Sequence, residues 1–317
     1  MTAYLIRRVG QAILVVIGVM ILTFILIHVE PGNVARSVLG FRATQARVSL
    51  FNSTYGLNKS LPVQFWDYVD EIAHGNLGDS LYYQQPVTTL MGERLPNDIV
   101  LVGLSTVLAL LIAIPMGVYQ AVKRGGVADN LLTGVSFTLY SMPTFFLALL
   151  LIGLFCVQTH IFLPTAPQVQ NWTGLFADPR GIALPVITLA LLSVAGYSRY
   201  MRSSVIDTLA QDYLKVARAK GLPQRLLLSR HVLRNSLLPI ITLVGLSLPA
   251  VVSGAVISED IFNFPGMGQL FFNAATQHDF PVLLGSTLLV GVATVVGNLA
   301  ADIAYGILDP RVRHVSH

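Results

Sequence analysis

The stretch QDYLKVARAKGLPQRLLLSRHVLRNSLLP, residues 211–239, carries six lysines and arginines and is interrupted by Gly221 and Pro223. The chain around it is mostly apolar: 54% of its residues are hydrophobic, 11% are charged, and the mean hydropathy is +0.67. Soluble domains carry about 25% charged residues. The composition therefore indicates a membrane protein, in which residues 211–239 form a charged loop leading into a span.

Apolar stretches long enough, or nearly long enough, to cross a bilayer occur six times, at residues 9–29, 99–122, 131–157, 182–198, 237–257 and 281–308. About 20 helical residues cross the hydrocarbon core. Backbone amides find no water in lipid, so the spans are expected to be helices. The sequence therefore predicts an all-α membrane protein with six transmembrane helices. Each of five prolines within or at the edge of these stretches permits a kink: Pro115, Pro143, Pro185, Pro239 and Pro249.

Loop charge predicts the orientation. One set of loops and both termini together hold 14 of the 20 basic residues and four acids, whereas the opposite set holds six basic residues and 11 acids. Because basic loops are retained in the cytoplasm, both termini are predicted to be cytoplasmic.

Two segments on the predicted outer side are distinctive. Residues 30–98 are too long for a simple connection and contain an amphipathic pattern near 63–72, which predicts a small extracytoplasmic cap. Residues 258–280 contain Pro265, Gly266 and Gly268, which predict a tight turn. The predicted organisation is an N-terminal helix at 1–29, the outer region at 30–98, a membrane core at 99–308 with its charged loop at 199–236, and a tail at 309–317.

Within the charged loop, residues 212–220 predict a short helix with the small residues Ala217 and Ala219. Gly221 suits the left-handed position that ends a helix, and Pro223 suits the first turn of a second helix at about 223–233. Attraction to anionic lipid needs positive charge but no fixed bend. Small residues and a defined bend favour docking against a rigid protein partner.

The same residues carry a family resemblance. The segment DYLKVARAKGLPQRLLLSRHVLRNSLLPIIT resembles the cytoplasmic coupling loop of ABC-importer permeases, most closely those of the dipeptide, oligopeptide and nickel group. Four other pieces resemble that group in the same order: YLIRRVGQAILVVIGVMILTFILIHVEPGN, GLNKSLPVQFWDYV, IFNFPGMGQL and ILDPRVR. The chain departs from the group's patterns at two places, where Asn33 and Asn76 replace usual acids.

The resemblance implies a permease subunit that forms half of a pathway for short peptides in the bacterial inner membrane. It implies as partners a homologous second permease, two ATPase subunits or domains, an external substrate-binding protein and the surrounding lipid, but no nucleic acid. The implied ATPase contact comprises Asp212, Lys215, Ala217, Arg218, Ala219, Lys220, Gly221 and Arg225. The sequence contains no Gly-Lys-Ser or Gly-Lys-Thr, so ATP and magnesium are expected on the partners and the chain is expected not to be an enzyme or to bind a cofactor.

Several alternatives stay open at this point. A self-sufficient secondary transporter would show inverted repeats and several polar groups at mid-membrane, whereas the predicted spans contain a single acid, Asp302. That acid is also the candidate for a proton role. An intramembrane enzyme would need paired catalytic groups. Within the family, nickel, haem and glutathione are alternative substrates. The histidines show no ligand spacing within a helix, so no metal site is predicted.

Overall fold

Helices form the regular structure in the computed structural model, which describes residues 2–29, 34–40, 42–169 and 171–308. Within these ranges the only extended pairing is an isolated bridge between Asp79 and Pro86. The predicted all-α class is therefore confirmed. The predicted tail at 309–317 and the departure at Asn33 lie outside the described residues, and so does the side chain of Asp302.

The first third of the chain contains one long helix followed by three short ones. These are α1 (Thr2–Val29), α2 (Val34–Leu39), α3 (Gln45–Thr54) and α4 (Leu61–Ala73). The amphipathic pattern near residues 63–72 is confirmed as helix α4. Its inward face places Phe65 against Phe24 of α1, with ring centroids 5.2 Å apart. Whether α2–α4 form a cap outside the membrane stays a prediction.

The rest of the chain is built on longer helices joined by short ones. They are α5 (Val87–Val122), α6 (Val127–Ser141), α7 (Thr144–Ile152) with a π-helical end (Gly153–Gln158), a 3-10 turn (Trp172–Phe176), α8 (Pro179–Leu209), α9 (Asp212–Ala219), α10 (Gln224–Leu226), a π-helical turn (Leu227–Val232), α11 (Leu233–Ser236), α12 (Leu238–Leu246), α13 (Leu248–Ser253), α14 (Val256–Ile261), α15 (Met267–Gln277) and α16 (Phe280–Leu308).

Helices α5 and α8 form the centre of the fold. Ala109 and Ala113 of α5 are fully buried and pack against Ala190 and Val194 of α8. Further along the same seam, a Cβ atom on Gly117 would lie 2.7 Å from the Cβ of Met201 and 2.8 Å from the carbonyl oxygen of Ser198. Small residues allow helix backbones to approach closely, which is a common way of packing helices in membranes.

The third predicted span is not one continuous helix, which corrects the expectation for residues 131–157. Helices α6 and α7 meet at an angle of 105°. Met142 is extended, with φ −80° and ψ 127°, and Pro143 precedes the first residue of α7. A proline disfavours the helical conformation of the residue before it and cannot donate a backbone hydrogen bond, so the helix ends here.

Four helices of the described residues are long and apolar enough to cross a membrane: Val87–Val122, Pro179–Leu209, Gln224–Ser253 and Phe280–Leu299. The bent pair α6–α7 makes five if it counts as one span, and α1 contributes a shorter apolar segment at Ile13–Leu26. The count of six spans thus stays a prediction.

Long-range contacts place the predicted outer segments together. Asp279, at the start of α16, is fully buried and accepts hydrogen bonds from the hydroxyl of Ser80 and the backbone N–H groups of Leu81 and Tyr82. The nearby departure from the family pattern preserves a turn, since Asn76 Oδ1 accepts the N–H of Gly78 at 2.9 Å. The segments predicted to be outside therefore share one end of the helix bundle.

Gly117→Ala is expected to destabilise the protein by about 1–3 kcal/mol, because the new methyl group overlaps the backbone of α8 and forces the two central helices apart. Gly103→Ala is the matched control on the same helix, since nothing lies within 4 Å of its Cβ position. Thermal unfolding of the full chain in detergent measures both. Equal midpoints for the two variants would contradict the close approach of α5 and α8.

Candidate functional site

The candidate site is helix α9 together with the turn that follows it. The predicted short helix at 212–220 is confirmed as Asp212–Ala219. Leu214 is its anchor: this side chain is fully buried and packs with Val205 of α8, Leu227 of the π-helical turn and Ile240 of α12. One side of α9 thus lies on a hydrophobic platform, defined here as the buried cluster Ala121, Met201, Val205, Leu214, Leu227, Val232 and Ile240.

Gly221 closes α9 in the manner that the sequence predicted. Its φ is +78°, in the left-handed region that glycine adopts at little cost. The N–H of Gly221 donates to the carbonyl of Arg218 at 2.9 Å, and the N–H of Leu222 donates to the carbonyl of Ala217 at 3.2 Å. This pair of bonds is a Schellman motif, which satisfies carbonyls left free at the end of a helix.

The chain flanking α9 differs from the prediction in two ways. Helix α8 continues to Leu209, well past the predicted span end at 198, so the irregular part of the loop is shorter than 199–236. The second helix begins at Gln224, directly after Pro223, and continues past its predicted end near 233 as one helical segment to Ser253. Helices need no apolar sequence once they leave the membrane, so the ends of these helices differ from the ends of the apolar stretches, and the loop boundaries at 199–236 stay a prediction.

An ion pair between a buried acid and a half-buried arginine supports the helix that leads into α9. Arg202 of α8 forms two hydrogen bonds of 2.8 Å with the carboxylate of Asp129, at the start of α6. Asp129 is 1% exposed and also accepts the N–H of Gly125 at 2.9 Å. This bidentate pair keeps a charged arginine on α8 and fixes the α5–α6 connection beside the platform.

Most of the predicted contact residues are on the surface. Those exposed to solvent are Asp212, Lys215, Arg218, Ala219, Lys220, Gly221 and Arg225. Ala217 is different, because it is half-buried and packs against the chain's own platform. Of the three small residues in the predicted contact, Ala219 and Gly221 are exposed and Ala217 is half-buried, and the contact itself stays a prediction.

Sequence reasoning missed two exposed apolar residues on α9. Tyr213 is 45% exposed and Val216 is 54% exposed, on a helix otherwise rich in charge. The Tyr213 hydroxyl also accepts a 2.6 Å hydrogen bond from the amide of Asn235 in α11, which ties α9 to the next helix. The helical spacing could have predicted this exposure. When Leu214 faces the platform, residues 213 and 216 point in other directions around the helix.

No three histidine, cysteine, aspartate or glutamate side chains are grouped as metal ligands anywhere in the described ranges.

Comparison with known proteins identifies the family. Residues 113–314 match the model of the binding-protein-dependent transport system inner membrane component, and residues 1–102 match that of the N-terminal part of such membrane components. The chain belongs to this family. It is the permease subunit of an ABC importer.

Similar proteins cover its whole length. The oligopeptide transport system permease protein AppB of Bacillus subtilis is 38% identical over 99% of this chain and 100% of its own. The dipeptide transport system permease protein DppB of Escherichia coli K12 is 32% identical over 99% of both chains. The glutathione transport system permease protein GsiC of Pectobacterium atrosepticum is 32% identical over 99% of this chain and 100% of its own.

A solved structure shares the fold. It is an inward-facing conformation of the MetNI methionine ABC transporter, which matches with a TM-score of 0.52 over 69% of this chain and 96% of the solved chain, at 14% identity. Members of this family are inner-membrane components of transport systems, so this importer subunit acts together with other ABC components.

Leu214→Ala is expected to cost about 2–4 kcal/mol, because it removes buried apolar contacts and leaves a cavity beneath α9. Val216→Ala, on the exposed side of the same helix, should change the free energy of unfolding by no more than about 0.5 kcal/mol. Chemical unfolding of the detergent-solubilised chain compares them. An equal loss in both variants would mean that α9 does not rest on the platform.

Proposed function

We propose that this permease subunit carries short peptides inward after an external binding protein delivers them, and that ATPase subunits drive the step through α9. A homologous second permease would supply the other half of the pathway. ATP and magnesium belong to the partner ATPases. Both termini would lie in the cytoplasm, as the loop charges favour.

The substrate assignment rests on full-length similarity to the oligopeptide permease AppB, at 38% identity over nearly the whole of both chains. Similarity to DppB points the same way. Similarity to GsiC favours glutathione as a second candidate, and glutathione is itself a small peptide.

The proposed coupling role follows from how α9 is held. Its buried side rests on a platform to which α5, α8 and the helices after Pro223 all contribute, so a push on α9 reaches several long helices at once. Its two connections are short because α8 ends at Leu209 and the next helix begins at Gln224. A rigid element with packed neighbours on one side and an exposed other side suits the transmission of a partner's motion.

The exposed side supplies the chemistry of a docking surface. Tyr213 and Val216 offer apolar area, and Ala219 leaves room for a close approach. Lys215, Arg218, Lys220 and Arg225 surround them with positive charge, which suits a groove with acidic residues at its rim. Lys215 also pairs with Asp212 at 2.7 Å, an exposed pair that holds its side chain in place.

Ala219→Trp is expected to abolish most peptide uptake by the complete transporter while leaving the permease folded, because the indole fills the space proposed for the ATPase. This position is a better test than Gly221, where the left-handed φ would strain any side chain and confuse docking with folding.

Val127→Trp is the matched control, at a 77% exposed position beside the other connection at this end of the bundle. Uptake and ATP hydrolysis are measured in liposomes holding the full complex. Unchanged uptake by Ala219→Trp, or an equal loss in Val127→Trp, would refute the docking role of α9.

A second experiment tests the substrate. Liposomes containing the full complex and its binding protein should show ATP-dependent uptake of radiolabelled di- to pentapeptides, with unlabelled peptides as competitors. Glutathione, nickel and haem are offered in parallel. Uptake of glutathione alone would favour the second candidate, whereas uptake of nickel or haem without peptide would refute both.

A further inference from the structure

Two acidic side chains from distant parts of the sequence meet at the end of the bundle opposite α9. Asp98 lies on α5, and Glu259 lies on α14. Both side chains are completely buried. They face each other across the turn at 265–268, which carries the proline and the two glycines singled out in the sequence. The permease function proposed above makes no use of them.

The carboxylate of Glu259 organises the turn. It accepts backbone N–H groups from Ala255, Gly268 and Gln269, the last at 2.9 Å. Gly254 and Gly268 are needed for this, because a Cβ atom at either position would collide with the Glu259 side chain or the opposing backbone. Gly254 also has a φ of +69°. The two glycines thus leave room for a cradle of backbone N–H groups around one carboxylate.

Asp98 approaches the same cradle from the other side. Its Oδ2 accepts the N–H of Met267 at 2.7 Å, while its Oδ1 is buried and has no hydrogen-bond partner among the described residues. A Cβ atom on Gly266 would overlap both Asp98 Oδ1 and Glu259 Oε2. The two carboxyl groups are therefore neighbours, separated by a backbone that has no side chain.

The charges around the pair do not balance if both acids are ionised. Arg94, one turn before Asp98 on α5, is the positive group that acts on both acids. Glu93 and Asp260, on α5 and α14, are exposed. The adjoining helices α7, α13 and α15 carry no titratable side chain. On α8, the charged side chain of the first turn is Arg180, which is exposed and pairs with Asp178 at 3.3 Å. Two carboxylates against one guanidinium leave a buried negative charge, which is unfavourable.

Burial raises the pKa of Glu259 above its ordinary value of 4.5, and this effect outweighs the lowering by its three backbone donors and by Arg94. Like charges in one site favour retention of a proton by one of the two groups. The donors are distributed unequally: three N–H groups stabilise Glu259 as a carboxylate, whereas Asp98 has one.

We propose that Asp98 and Glu259 form a proton-binding site that holds one proton on Asp98 Oδ1, donated to Glu259 Oε2. This arrangement gives the orphaned oxygen a partner and leaves one carboxylate opposite Arg94. It also joins α5 to α14 by a hydrogen bond, in addition to the hydrogen bond that Asp98 accepts from the N–H of Met267 in the following turn. The ligand of this site is a proton from the outer side, and its role is to hold the outer turn against α5.

The dependence of stability on pH follows from the direction in which burial shifts a carboxyl pKa, which is upward. A carboxyl group that keeps its proton in the folded state stabilises the fold relative to an ionised pair, and that stabilisation is lost as pH rises through the folded pKa. The loss begins above the ordinary pKa of an aspartate, the residue that holds the proton, which is about 3.9. The wild-type protein should therefore lose stability, relative to a variant with a permanently neutral group at 98, as the pH rises.

Asp98→Asn is that variant, because its amide nitrogen can donate where the proposed proton lies and its oxygen can accept the Met267 N–H. Its thermal midpoint is expected to equal or exceed that of the wild type, by a margin that grows with pH. Glu259→Gln is the contrasting variant, since its amide N–H₂ would face backbone donors, and its midpoint should fall by several degrees.

The proton itself is measured by infrared difference spectroscopy on the full chain in lipid. A protonated carboxylic acid band should be present in the wild type at neutral pH, move on exchange into heavy water, and be missing from Asp98→Asn. Absence of that band in the wild type would overturn the proposal. So would failure of Asp98→Asn to fold, a midpoint as low as that of Glu259→Gln, or stabilisation of the wild type by sodium, potassium or calcium that Asp98→Asn abolishes.

Discussion

The close contact of α5 with α8 is the constraint on which the rest of the fold depends. Gly117 and the alanines along the seam let two long helices approach closely. A Cβ atom at position 117 would already overlap α8. Because lipid provides little drive for apolar surfaces to associate, such packing must come from shape. The platform beneath α9 and the acid pair at the opposite end of the bundle are both built on these two helices or on elements that pack against them.

The two ends of the α5–α8 pair are built from different interactions. At the end near α9, a hydrophobic platform and the Asp129–Arg202 pair leave one side of a short helix exposed. At the opposite end, buried acids bind backbone N–H groups of tight turns: Asp279 holds the loop after Gly78, and Glu259 holds the turn at 265–268. The first arrangement suits contact with another protein, whereas the second fixes connections within the chain.

The sequence was sufficient where a local rule determined the structure. A glycine after a short charged helix predicted the left-handed closure at Gly221, and amphipathic spacing predicted α4. It was insufficient where contacts between residues distant in sequence determine the structure. Pro143 indicated a kink, but the 105° bend depends on what α7 packs against, including Leu184 of α8 and Phe262. Hydropathy could not show that α8 continues to Leu209, because Arg202 on that part of the helix pairs with Asp129, which is distant in sequence. The meeting of Asp98 with Glu259 has no local signal at all.

The length of α8 has a mechanical consequence. Its 31 residues run without interruption from Pro179, directly after the capping residue Asp178, to Leu209, just before the connection to α9. At 1.5 Å per residue this rod is about 46 Å long, so a tilt of about 5° about one end displaces the other by about 4 Å. A small rotation of α8 about the end that leads into α9 therefore displaces its other end by several ångströms.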